Sequence, residues 1–366
     1  MPTSPPVMRA FPLIDIAGEP RERGLQYGQG ARDQIRIGIG NYQQAFLKIG
    51  ISWDEALAFA ATFITRLSAE EPRLLEEIRG IAQGAGVRFE EILALNARTE
   101  ILYHARSRNV MGDGCTGAVV LPEASASHRL LHAQNWDWRD ECAESTVILR
   151  VSPDSGPKML IQAEAGVLAR CGLNSQGIGL TGNFLKCERE NVPGGLPIPF
   201  IRRRILMAGT FRDAIAAIYR SPRSFSSNIM LSCDAGEAFD FEATPGEVFW
   251  TEPQDGLLVH ANHFVSTAAR CKVRDVGIEV APDSLYRHRR VASSLYAKRG
   301  HITFAELREA LADRVGDPHG VCSGPDAGPG GDNSSTVSTI LMDLADRRMS
   351  VAVRPYGEHV FTDYRL

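Results

Sequence analysis

The sequence predicts an α+β domain built in layers rather than by βαβ winding. Helical periodicity fills the first third, a block of short strand-like runs begins at Cys115, and strand runs then alternate with helix blocks. A chain of 366 residues with 44% hydrophobic and 23% charged residues has the composition of one large or two modest globular domains.

Each element has a local reason. Ser52-Trp53-Asp54-Glu55 is a capping box, in which the serine hydroxyl and the Glu55 carboxylate each satisfy the other's backbone N–H at a helix start. Leu57, Ala60, Ile64 and Leu67 follow at helical spacing. Pro72 opens the next helix, Leu75, Ile78 and Ile81 form its apolar stripe, and Gly84 and Gly86 are expected to end it. Residues 89–103 read as a third helix. Strands are expected at 117–121, 130–135, 146–151, 159–163, 169–172 and 177–181. Helices return over 199–219, and strands over 228–233, 237–242, 247–251 and 256–261. Two further helices cover 283–298 and 303–314. The glycine-rich stretch 319–335 reads as a loop, and 337–344 with 348–354 as a closing hairpin.

The net charge is −4, with 13 basic and 14 acidic residues before position 115 and 27 and 30 from there on. That balance argues against a nucleic-acid partner. No apolar run reaches the roughly 18 to 20 residues of a membrane span. The proline-rich start, MPTSPPVMRAFPLIDIAG, lacks the basic region and long apolar stretch of a signal peptide. Seven scattered cysteines, never spaced C-x-x-C, argue against a disulfide framework or a cysteine zinc site and suit a cytoplasmic location. His260 and His263 are three apart with no third ligand near them in sequence, so they are read as hydrogen-bonding residues and no metal is expected.

Cys115 is the first candidate for chemistry. Gly-Asp-Gly precedes it, Thr116 follows, and it stands where helix gives way to strand. Glycines there allow unusual backbone geometry and close approach to a carbonyl. Alone, the motif also describes a small buried cysteine in a turn.

Its surroundings narrow the reading. EIRGIAQGAG (Glu77–Gly86) and LNARTE (Leu95–Glu100) precede it; AQNWDW (Ala133–Trp138), EAG (Glu164–Gly166), GLNSQGIG (Gly172–Gly179), SSNIML (Ser226–Leu231), HANH (His260–His263) and STILMDL (Ser338–Leu344) follow. In this order the set resembles the acyl-coenzyme A:isopenicillin N acyltransferase family, a branch of the N-terminal-nucleophile hydrolases, from about Ile16 to about Val353. The resemblance implies a four-layer αββα sandwich. It also implies a precursor that cuts itself between Gly114 and Cys115, so that residues 1–114 become a small helical chain packed on a catalytic chain of 115–366. Cys115 would then supply both the thiol nucleophile and, through its α-amino group, the general base.

The same resemblance assigns further residues. Asp137 matches an aspartate that orients the nucleophile, and Asn262 matches an asparagine that donates to the oxyanion. Ser226 matches a serine near the active centre, in a register that Ser227 makes ambiguous by one. The expected substrate is an acylated amine or amino-acid amide, with hydrolysis or acyl transfer through a Cys115 thioester and no cofactor. Coenzyme A is a compatible acyl donor that no sequence feature demands. The chain departs from the family at Ser323, where many members carry an arginine; Arg170 is a candidate replacement, and the loss argues against a penicillin-like acceptor. The alternatives are a non-processing binding or scaffold descendant and a papain-like enzyme, which predicts an uncut chain with a separate catalytic histidine.

Overall fold

The computed structural model describes residues 8–105, 114–327 and 333–366. The N-terminal part runs β1 (Leu13–Gly18), α1 (Pro20–Gly30), α2 (Arg32–Lys48), α3 (Trp53–Ala61), α4 (Ile64–Glu70), α5 (Pro72–Ala85), α6 (Phe89–Asn96) and α7 (Arg98–Ala105). Strands β2 (Thr116–Val120), β3 (Leu131–Arg139), β4 (Thr146–Pro153), β5 (Met159–Glu164), β6 (Cys171–Asn174) and β7 (Ile178–Thr181) follow. Then come α8 (Ile198–Leu206), α9 (Phe211–Arg220), β8 (Ser227–Cys233), β9 (Ala238–Thr244), β10 (Glu247–Thr251) and β11 (Leu257–His260). The chain continues through α10 (Thr267–Lys272), α11 (Gly277–Val280), α12 (Asp283–Tyr296) and α13 (Phe304–Leu311). It closes with β12 (Asp326–Ala327), β13 (Asn333–Asp343), β14 (Arg348–Val353) and β15 (Phe361–Arg365).

Two sheets result. The first has the order β1-β4-β5-β6-β7-β8-β9-β10, and the second β11-β2-β3-β13-β14-β15 with β12 on β13. Every pair is antiparallel except β1 with β4. Alternation along the strands sets the layers. Val147, Leu149 and Ile161 of the first sheet share a core with Phe46, Ile78 and Ile205 of the N-terminal helices and α8. Ile148, Leu160 and Leu173, on its opposite face, pack on Val119, Trp136, Ile340 and Val351 of the second sheet. The outer face of that sheet, through Ala118, Ala133 and Leu341, meets Val291 and Leu295 of α12 and Leu307 and Leu311 of α13. The order is helix, sheet, sheet, helix, as the sequence led us to expect.

The differences from the sequence reading are local. The helix expected over 89–103 breaks at Ala97, where buried Asn96 turns its side chain to Ile92 O, Gly166 O and the Leu168 N–H. The helices expected over 199–219 are α8 and α9, the second capped by the Thr210 hydroxyl, which accepts from the Asp213 N–H. The closing hairpin gains a third strand, β15. The seven cysteines form no disulfide. Among the described residues, no helix is long and apolar enough to cross a membrane.

Glycine explains the tightest packing. Gly86 caps α5 in the left-handed region, at φ 68°. Gly84 does not end the helix; it lies inside α5 and faces α1. A Cβ on Gly84 would stand 2.3 Å from Leu25 O, one on Gly80 2.3 Å from Arg21 O, and one on Gly28 2.1 Å from Ile81 O. The α1 and α5 backbones therefore touch, through two G-x-x-x-G faces. Beside the contact, buried Glu77 accepts from Arg23 Nε at 2.7 Å and from Arg203 Nη2 at 3.0 Å, which ties α1, α5 and α8 together. Gly80→Ala is expected to destabilise by about 1–3 kcal/mol. Gly40→Ala, in α2 with open space around it, is expected to stabilise by up to about 1 kcal/mol. Urea unfolding of both variants measures the difference; equal midpoints would mean that the two backbones part without cost.

Candidate active site

Cys115 immediately precedes β2, which lies between β3 and β11 with Thr116 opposite Asn135 and Gly117 opposite His260. Continuing the pairing by two residues sets Gly114 opposite Asp137. The contact is direct: a Cβ on Gly114 would stand 2.6 Å from Asp137 Oδ2, so glycine is what fits there. Cys115 and Asp137 are both buried. Cys115 Sγ lies 3.8 Å from the Asp137 carbonyl oxygen and 3.7 Å from Arg170 Nη2. The structure thus brings the candidate nucleophile, cleavage-site glycine and carboxylate together.

The group that organises them is Arg287, which sequence reasoning missed. It is fully buried on α12. Its Nη1 donates to the carbonyl oxygens of Gly114, at 2.5 Å, and Cys115, at 2.9 Å, and to Thr116 Oγ1 at 3.0 Å. Nη2 donates to Asn262 Oδ1 at 3.0 Å, and Nε to Asp283 Oδ2 at 2.7 Å, one helical turn away. The peptide that the sequence marks for cleavage and the asparagine that it marks as an oxyanion donor are therefore held by one planar cation. A signal was present in the sequence: Arg287 stands on the α12 stripe whose other buried members are Ser284, Val291 and Leu295.

Asn262 is itself fixed. Its backbone N–H donates to Ser284 Oγ at 2.7 Å and its side-chain Nδ2 to Phe184 O at 3.1 Å. An amide carries two hydrogens, so the second remains for a ligand. His263 accepts or donates at Ser284 Oγ, 2.7 Å away, and burial, with nearby positive charge, pushes its pKa down to about 3. It is a neutral structural partner.

Ser226 and Ser227 have different surroundings. Its hydroxyl lies 3.4 Å from Cys187 Sγ and its N–H donates to Glu190 Oε2. The neighbouring Ser227 lines the cleft beside Trp136 and Arg170 instead. Adjacent residues on extended chain point to opposite sides, so a register shift of one decides which serine faces the cleft.

Arg170 is the candidate replacement for the arginine absent at Ser323. Ser323 is buried and held by Thr336 Oγ1 and Gly320 O, and Thr336 pairs with Asp137. No charge enters from that side chain. Arg170, just ahead of β6, supplies one: it is 3% exposed, lies over the Trp136 ring at 4.4 Å and donates to Gln134 Oε1 at 3.1 Å. The cleft beside it is lined by Arg98, Tyr103, Trp138, Phe184 and Arg202 among others.

Behind the site, Asp240, Glu242 and His260 form a buried cluster. His260 Nε2 lies 3.1 Å from Glu242 Oε1, and Nδ1 lies 2.7 Å from Ala261 O. Burial pushes the ring's pKa down, but Asp240 and Glu242 outweigh it and lift the value from 6.5 to about 9. Glu242 also accepts from the Val265 and Ser266 N–H groups, so the charged ring anchors the loop that carries Asn262. The folded value exceeds the unfolded one, so this stabilisation is complete below pH 6.5 and is lost as pH rises through about 9. Thermal unfolding from about pH 7 to 10 is expected to show a steeper fall for wild type than for His260→Gln. Parallel curves would mean that the ring carries no charge in the folded chain.

Comparison with known proteins identifies the family. The chain is 29% identical over 342 residues to the acyl-coenzyme A:6-aminopenicillanic-acid-acyltransferase 40 kDa form of Emericella nidulans, covering 92% of this chain and 91% of that one. A conjugated bile acid hydrolase from Clostridium perfringens is similar at a TM-score of 0.49 and 13% identity, over 69% of this chain and 92% of that one. A penicillin V acylase from Agrobacterium tumefaciens gives 0.41 and 14%, over 65% and 83%. The profile of the acyl-coenzyme A:6-aminopenicillanic acid acyl-transferase family matches residues 125–355, which include Asp137, Asn262 and Arg287, and the chain belongs to that family.

Proposed function

We propose that this enzyme cuts itself between Gly114 and Cys115 and that the new N-terminal cysteine then hydrolyses or transfers an acyl group at amide bonds. The observation that carries the reading is the Arg287 guanidinium on the Gly114 carbonyl, beside a buried thiol. A cation there polarises the carbonyl of the bond to be cut and stabilises the oxyanion that attack creates.

The cut follows from that placement. Cys115 Sγ adds to the Gly114 carbonyl carbon, the C–N bond breaks, and the thiol proton ends on the departing Cys115 nitrogen. Water hydrolyses the resulting thioester, which returns the thiol and leaves a carboxylate on Gly114. Residues 1–114 stay attached, because α1–α7 share one core with the first sheet. The liberated α-amine has an ordinary pKa of about 7.7 to 8.0 and the thiol one of about 8.5, so proton transfer between them is nearly isoenergetic.

Catalysis reuses the same centre. The amine takes the thiol proton, the thiolate attacks a substrate amide, and the second Asn262 amide hydrogen meets the oxyanion. The α-ammonium protonates the leaving amine. The Cys115 thioester then passes its acyl group to water or to a second amine. Asp137 orients the ammonium. The acyl-transfer branch, and a coenzyme A thioester as an alternative donor, rest on kinship with the Emericella nidulans acyltransferase.

Purified wild type is expected to run as two co-purifying fragments. Residue shares of the 40.0 kDa chain, 114 and 252 of 366, give about 12.5 and 27.5 kDa. Cys115→Ala is expected to stay whole, and Arg287→Gln to slow the cut by roughly 100-fold or more. Asn262→Ala is expected to be cut yet to turn over roughly 100-fold more slowly. Intact-mass time courses and turnover assays check all three. A whole wild-type chain that turns over amides would overturn the self-processing reading, and a whole chain without turnover would favour a binding descendant.

A further inference from the structure

We propose that the cleft beside Cys115 is an anion site and that the substrate carries a carboxylate two atoms away from the reacting carbonyl carbon, as an N-acyl α-amino acid does. The inference rests on the Cys115 reading above and adds the chemical class of the substrate.

The cleft holds three arginines, and only Arg98 among them is ion-paired with a described residue. Arg98 is ion-paired with Glu164. Arg170 has neutral neighbours: Gln134 Oε1, Cys171 Sγ at 3.2 Å, the Trp136 face and Cys115 Sγ. Arg202 makes no hydrogen bond or ion pair with the described residues, and its buried Nε has no partner. Burial, reinforced by the charge of Arg170, pushes Arg202 down to about 10. Glu100 lies in the same field, but its Oε1 accepts from the Ile198 N–H, and burial lifts its pKa to about 7. Even fully ionised, it offsets one of the two remaining positive charges. Three guanidiniums thus face two carboxylates, Glu164 and Glu100, and the partly buried cleft keeps a net positive charge that a bound anion stabilises.

Position selects the anion. A guanidinium is a planar fork matched to a carboxylate. Arg170 Nη2 stands 3.7 Å from the nucleophilic sulfur. A carbonyl carbon poised for attack lies about 3–3.5 Å from that sulfur. A carboxylate on Arg170 and Arg202 therefore falls close to the reacting carbon, not at the far end of a long acyl chain. Two linking atoms fit, and in an N-acyl α-amino acid these are the nitrogen and Cα. This revises the expectation drawn from Ser323: the charge lost there re-enters from β6 and α8, so a free acid and not its amide is the fitting substrate.

The test uses processed enzyme. N-heptanoylglycine is compared with N-heptanoylglycinamide, and N-hexylsuccinamate with its terminal amide, by kcat/KM. The first pair puts the charge on the amine half and the second on the acyl half. Binding of 4-oxodecanoate and of 4-oxodecanamide, in which no amide can be cleaved next to the carbonyl, is measured by calorimetry as a readout independent of turnover. The acid is expected to be preferred over the amide by roughly 10- to 150-fold in binding and in the N-heptanoylglycine pair. Arg202→Gln is expected to bring both ratios towards one and Arg202→Lys to restore part of them. Equal binding of the keto acid and its amide, or an undiminished preference in Arg202→Gln, would overturn the anion site. A preference confined to the succinamate pair would overturn the amino-acid assignment. Selective binding of the keto acid without turnover of any amide would support the anion site while contradicting the amide chemistry on which it was placed.

Discussion

The site depends on one buried guanidinium. Arg287 is enclosed on α12, and its donors reach Gly114, Cys115, Thr116, Asn262 and Asp283. Without it, the carbonyls on both sides of the Cys115 nitrogen lose a charge-assisted donor inside the protein, and Asn262 loses the contact that orients its amide. Asp283 is the carboxylate that makes such burial tolerable, because a buried cation without a partner costs several kcal/mol. The outer helix layer is therefore part of the chemistry: α12 covers the second sheet through Val291 and Leu295 and delivers Arg287 to the end of β2.

The four layers also explain how the proposed cut, about a third of the way along the chain, would leave it folded. The helices before Gly114 are held by Glu77 between two arginines, by the α1–α5 backbone contact and by a core shared with the first sheet. None of these contacts runs through the peptide at 114–115. The proposed cleavage would release an amine and a carboxylate at the edge of β2 and leave these contacts intact.

Much of this was legible in the sequence, and the remainder was illegible for identifiable reasons. The capping box at Ser52 and Glu55 is local, and its bonds form as read. Cys115 and Asp137 stand in adjacent strands whose pairing follows from short connections, so their motifs marked the same place. The glycines of EIRGIAQGAG were visible but their purpose was not, because Gly80 and Gly84 meet α1 only in the folded chain. Arg287 was hidden by chemistry: an arginine on a helix ordinarily reads as solvated, and this chain is rich in arginine. Arg202 was hidden in the same way. The sequence left Ser226 and Ser227 ambiguous because strand alternation turns a one-residue shift into the opposite face.

The central claim is that residue 115 is an N-terminal cysteine in the working enzyme. A reagent that condenses only with 1,2-aminothiols, such as 2-cyanobenzothiazole, reports this directly when followed by mass analysis of the labelled protein. The account predicts one label, on the fragment that begins at Cys115, with loss of activity in proportion to labelling. An active enzyme that takes up no label, or a label on any other residue, would contradict it.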